Sequence, residues 1–144
     1  MKAPENNFSS VEPNAQPRAH GRQTAVLLAE DDRALRRFLE VVLERAGYKV
    51  HAAADGLEAM KLVLSKAIDI VVTDAMMPNL SGHELCRFVR NSPALAHLPV
   101  ILLSALERPE TSVEPDQADA FLAKPVSGEN LIECIEKLVA RKSD

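Results

Sequence analysis

From Thr24 onward the chain repeats one pattern: a run of four to six mainly β-branched or aliphatic residues, then a longer segment whose apolar residues recur at helical spacing. The runs are Ala25-Val26-Leu27-Leu28-Ala29, Tyr48 to Ala52, Ile68-Asp69-Ile70-Val71-Val72-Thr73, Val100-Ile101-Leu102-Leu103 and Ala120 to Ala123. Most of them lack polar alternation, so neither face suits water, as in a parallel sheet covered by helices on both sides. Strands joined through helices cross over with a right hand. The pattern therefore predicts an α/β domain with a doubly wound, five-stranded parallel sheet. A chain of 144 residues has room for one such core.

Local signals set the helices between the runs. Asp32 can cap the first, in which Leu35, Phe38, Leu39, Val42 and Leu43 recur at helical spacing and Gly47 marks the exit. Asp55-Gly56 opens a second through Ala59, Met60, Val63 and Leu64. Ser81 and Glu84 have the spacing of a capping box before Leu85, Phe88 and Val89, and Ser127 caps a last helix carrying Leu131, Ile132, Ile135, Leu138 and Val139. Residues 107–119 hold Pro109 and Pro115 with Val113 as their one large apolar residue, which predicts an atypical or weak fourth helix, at most a short one over 112–118. Residues 1–23, with Pro4, Pro13 and Pro17 among polar residues, read as a flexible N-terminal tail, which leaves 24–142 for the domain.

Charge and composition narrow the function. The 17 Lys and Arg are spread along the chain among 21 Asp and Glu, so no basic face is expected and direct nucleic-acid binding is not. No stretch approaches the roughly 20 apolar residues of a membrane helix, and no N-terminal apolar stretch resembles a secretory signal, so the expected compartment is the cytoplasm. Cys86 and Cys134 lie in helical patterns without metal-ligand spacing and are expected to be reduced; His20, His51, His83 and His97 share no motif. A Gly-rich phosphate loop is missing, which argues against a nucleotide-binding protein.

In open parallel sheets ligands bind beyond the carboxyl ends of the strands. Strand one delivers Glu30, Asp31 and Asp32 there, strand three Asp74, strand four Ser104 and strand five Lys124. Carboxylates gathered at one edge repel each other unless a cation joins them, and with a backbone carbonyl they match the hard oxygen ligands of Mg²⁺. An ammonium and a hydroxyl facing the same place suit the oxygens of a phosphoryl group. Asp32 is assigned to capping, because it stands one residue too far into the helix.

These residues carry a resemblance. Leu28-Ala29-Glu30-Asp31-Asp32, Asp74-Ala75-Met76-Met77-Pro78-Asn79-Leu80-Ser81-Gly82, Leu103-Ser104-Ala105 and Phe121-Leu122-Ala123-Lys124-Pro125 follow in the order and at the intervals of the receiver domain of bacterial two-component response regulators, which the chain resembles over about 24–142. The resemblance implies the flavodoxin-like receiver fold with strand order 2-1-3-4-5 and a cis Lys124-Pro125 bond. It implies Asp74 as phosphoacceptor, Mg²⁺ as cofactor bound by Asp31, Asp74 and the Met76 backbone carbonyl with Glu30 acting through water, Lys124 on the phosphoryl oxygens, and Ser104 and Phe121 as the switch pair. Many members have Tyr where Phe121 stands, and a Phe lacks the hydroxyl donor.

The implied partners are a sensor histidine kinase or a histidine phosphotransfer protein as donor and a downstream target protein, with the chain a monomer or weak homodimer. Because the sequence stops soon after the last helix, a stand-alone receiver is expected, a phosphoprotein that carries phosphate in a phosphorelay or switches a target. It catalyses only its own phosphorylation and dephosphorylation and is otherwise not an enzyme. The competing reading is a pseudo-receiver that acts as a phosphate-independent adaptor. An aspartate phosphatase of the haloacid dehalogenase group is set aside, since such enzymes carry a second Asp where Met76 stands.

Overall fold

The computed structural model describes residues 22–105 and 118–143. Five strands, β1 (Ala25–Ala29), β2 (Lys49–Ala53), β3 (Ile70–Asp74), β4 (Val100–Ser104) and β5 (Ala120–Ala123), form one sheet in the order β2-β1-β3-β4-β5. Every pairing is parallel, with Val26 opposite both Val50 and Ile70, Val72 opposite Ile101 and Ser104 opposite Ala123. The helices among the described residues are α1 (Arg33–Arg45), α2 (Gly56–Ser65), α3 (Gly82–Asn91) and α4 (Gly128–Ser143).

The pleat sends alternate residues of each central strand to opposite sides. Val26, Leu28, Ile70, Val72, Ile101 and Leu103 pack under α1 and α4, against Leu39, Leu43, Leu131 and Ile135. Leu27, Ala29, Val71 and Val100 pack under α2 and α3, against Ala59, Val63, Leu85 and Val89. β1, β3 and β4 are buried along their whole length. That accounts for their unbroken apolar runs, and each fully buried Leu or Ile contributes about 1.5–3 kcal/mol.

The caps stand where the sequence puts them. Asp32 accepts from the Leu35 amide, Asp55 from the Glu58 amide, Ser81 and Glu84 form a reciprocal capping box, and Ser127 accepts from the Asn130 amide. Some expectations shift. β2 begins one residue later than its run, where the Tyr48 amide still bonds to the Leu43 carbonyl at 3.1 Å, and β3 two residues later, where the Asp69 carboxylate takes up the Ala25 amide and the Arg22 guanidinium, both at 2.8 Å. Phe38 is 50% exposed and Leu64 63% exposed, so neither belongs to the core. In α1 the sheet-facing stripe runs through Leu35, Leu39 and Leu43, and Phe38 lies outside it. Cys86 is buried, Cys134 half-buried, and both are free thiols.

Residues 107–117 of the segment 107–119 expected to form a weak fourth helix, and residues 1–21 of the expected tail, lie outside the described residues. No helix among the described residues is long and apolar enough to cross a membrane.

Candidate functional site

The carboxyl ends of β1, β3, β4 and β5 bring Glu30, Asp31, Asp74, Ser104 and Lys124 to one edge of the sheet. β1 ends when the Glu30 amide makes its bond to the Ala53 carbonyl at 3.0 Å, which leaves the Glu30 side chain fully buried. Its Oε2 accepts from the Asp32 amide at 3.0 Å, and the Glu30 carbonyl accepts from Arg36 at 2.8 Å. The chain then turns into α1, so Asp31 is exposed at the rim while Asp32 serves the helix as its cap.

Asp74 is the last residue of β3 and is buried. The next amide, of Ala75, still bonds to the Leu103 carbonyl at 2.8 Å, so the backbone around Asp74 belongs to the rigid sheet. Two residues on, the Met76 amide approaches Asp74 Oδ1 at 3.4 Å, and the Met76 side chain is 72% exposed. Ser104 closes β4 and is buried, and its carbonyl accepts from the Lys124 amide at 2.8 Å. The Lys124-Pro125 peptide is cis, as expected. Phe121 is half-buried in β5, in register with Leu102.

Lys124 Nζ lies 3.1 Å from Asp74 Oδ2 and 3.3 Å from Glu30 Oε1. Burial alone would lower the Lys124 pKa, but the hydrogen bond it donates to Asp74 and the charges of Glu30 and Asp74 outweigh it and hold the ammonium above its ordinary value. For Glu30 burial dominates and pushes the carboxyl up to about 6, against the opposing Asp32 amide and Lys124 ammonium. One ammonium thus pairs with two carboxylates, and Asp31 beside them is a third.

Carboxylate oxygens of Glu30, Asp31 and Asp74 lie within 4.8 Å of one another, a group able to hold a metal ion. Glu30 Oε1 is buried, and although Lys124 is within ion-pair distance it receives no hydrogen bond. A buried acceptor left with free lone pairs fits a site completed by a cation or its hydration water. The donor set is all oxygen, which favours Mg²⁺ over softer metals.

Two neighbours of this site do work that the sequence does not reveal. Arg36 holds the end of β1 from the first turn of α1. Gly82 returns the β3–α3 loop onto the end of β3: its amide bonds to the Ala75 carbonyl at 2.9 Å, and a Cβ there would lie 2.0 Å from the Asp74 carbonyl oxygen. Only glycine fits so close a backbone approach.

Residues 26–136 match the response regulator receiver domain. The transcriptional regulatory protein GltR of Pseudomonas aeruginosa is 33% identical over 130 residues, covering 85% of this chain and 51% of that protein. The chain spans about half the length of the curated relatives it matches, such as this one. Among solved structures, the receiver domain of the Francisella response regulator 1452 is 35% identical with a TM-score of 0.75, covering 83% of this chain and 98% of that one. The response regulator TrrA of Thermotoga maritima, solved in complex with Mg²⁺-BeF, is 28% identical with a TM-score of 0.74, covering 81% of this chain and 99% of that one.

Proposed function

The chain belongs to the response regulator receiver family, and from that premise we propose that its module, residues 24–142, takes a phosphoryl group onto Asp74 from a phosphohistidine donor. Receiver domains are signalling modules that work with histidine kinases and downstream effectors, and the acidic cluster is compatible with Mg²⁺. The observation that carries the reading is the position of Lys124, within 3.3 Å of both Glu30 and Asp74 at an edge shared with Asp31 and Ser104.

In this reading Asp31, Asp74 and the Met76 carbonyl would hold Mg²⁺, and Glu30 would act through its hydration water. The cation, when bound, would supply charge neutralisation for the phosphoryl transfer. An Asp74 carboxylate oxygen attacks phosphorus, the O–P bond forms, and the N–P bond to the donor imidazole breaks with its electron pair left on nitrogen. Lys124 then exchanges part of its pairing with Asp74 for a phosphoryl oxygen, where its raised pKa keeps it charged. Ser104, two strands away from β1 on β4, supplies a hydroxyl to the same group, and Phe121 follows that movement to change the surface a partner reads. The partners are a histidine kinase or histidine phosphotransfer protein on the donor side and a target protein on the other.

The test is incubation with acetyl phosphate, with and without Mg²⁺, followed by intact mass. One phosphoryl group should be gained only with Mg²⁺, and Asp74→Asn should gain none while keeping its fold by circular dichroism. Equal loading of Asp74→Asn would overturn the assignment.

A further inference from the structure

The β3–α3 loop meets the start of α2 at a contact that the capping of neither helix requires. Asn79 has φ 73°, and the Leu80 amide bonds back to the Pro78 carbonyl at 2.8 Å, a three-residue turn centred on Asn79. Glycine would take this conformation without strain. Asparagine adds a side-chain amide, and its Nδ2 donates to Asp55 Oδ2 at 3.2 Å.

The Asp55 carboxylate therefore serves two masters: Oδ1 caps α2 through the Glu58 amide at 2.8 Å, and Oδ2 holds the loop. Glu58 Oε1 takes the Ala54 amide at 2.8 Å and fixes Asp55 from the other side. Gly56 leaves room for the loop to rest there, since a Cβ would lie 2.0 Å from the Leu80 carbonyl oxygen. The same loop begins at Asp74 and Met76 and closes through the Gly82 amide on Ala75.

We propose that Asp55 and Asn79 are positioning residues, a latch from α2 that fixes the β3–α3 loop in the geometry with which Asp74 and the Met76 backbone meet the cation. The inference rests on the reading of this edge as a Mg²⁺-dependent phosphoacceptor site. A displaced loop leaves the carboxylates in place and moves the backbone ligand, so cation affinity should fall without loss of the fold.

The test uses the full chain, with Mg²⁺ affinity by calorimetry, exchange of the Leu80 and Gly82 amides by NMR, thermal unfolding, and loading by acetyl phosphate. Asn79→Gly keeps the turn and drops the latch. It should unfold at an unchanged or higher temperature, exchange faster at both amides and bind Mg²⁺ about three- to tenfold more weakly. A residue with only a structural role would not move stability and affinity in opposite directions. Asp55→Ser retains a cap but not the second acceptor and should show the same weakening. The double variant Asn79→Gly with Asp55→Ser should be no worse than either alone.

Wild-type affinity and exchange in Asn79→Gly would overturn the latch. If the wild type takes no phosphoryl group while the variants still loosen the loop and weaken Mg²⁺, the phosphoacceptor reading fails and the latch stands. If the wild type loads and the variants match it in every readout, the latch fails and the reading stands.

Discussion

Lys124 and Glu30 set the electrostatics of the site between them, and each acts through what burial does to the other. Glu30 titrates at about 6 in the folded chain against an ordinary 4.5. The folded state thus holds this proton more tightly than the unfolded state. The contribution is complete below about pH 4.5 and is lost as pH rises through 6, roughly 2 kcal/mol in all. Urea unfolding without divalent cations should show stability falling across that window, and Glu30→Gln should flatten the fall. An unchanged slope in Glu30→Gln would mean that another group carries it. Asp31 and Glu30 should differ in the opposite sense toward Mg²⁺. Asp31→Ala removes a direct ligand and should weaken binding more than Glu30→Ala, which removes an orienting group. The reverse order in a calorimetric titration would exchange their roles. The types of these residues, and their places at strand ends, are legible in the sequence. The pairing of Lys124 with Glu30 is not, because it depends on β5 and β1 projecting into one space across β3 and β4; the rule that ligands bind beyond the strand ends brings both residues to one edge without saying which of them pair.

The caps show best how far local sequence reaches at the scale of elements. Asp32, Ser81 and Ser127 occupy the capping positions expected of them, and Asp55, expected only to open α2, caps it as well, because a cap bonds to amides two or three residues away. Phe38 was misplaced because helical period locates the centre of an apolar stripe better than its width, and its exposure depends on how α1 sits on the sheet. Gly82 belongs to a quoted motif, yet its reason is a backbone approach to Asp74 that spacing cannot express. Two substitutions at neighbouring positions separate these kinds of constraint. Ser81→Ala removes a cap and should lower stability by about 1 kcal/mol with little effect on phosphoryl loading. Gly82→Ala forces the loop off the Asp74 carbonyl and should lower stability by about 1–3 kcal/mol. It should also slow loading by acetyl phosphate at least as much as loss of the latch does. Equal loading rates in the two variants would show that the loop tolerates the added methyl group without moving the site.

For the molecule as a whole, the run-and-helix pattern was enough to predict a doubly wound parallel sheet, because runs apolar on both faces permit little else. The order β2-β1-β3-β4-β5 was not accessible from the pattern, since right-handed crossovers allow several orders, and it entered through the family resemblance. That order gives the site its form: β1 and β3 are neighbours at the centre, so Glu30, Asp31 and Asp74 converge, while β4 and β5 bring Ser104 and Lys124 from one side. The central claim is that this convergence makes Asp74 a phosphoryl acceptor. Borohydride reduction tests it most directly, because it converts an aspartyl phosphate to homoserine and leaves free carboxylates untouched. After incubation with acetyl phosphate and Mg²⁺, peptide mass analysis should find homoserine at position 74 alone, and none when Mg²⁺ is withheld. Homoserine at another acid, or a phosphoryl group that resists reduction while position 74 remains aspartate, would contradict the account.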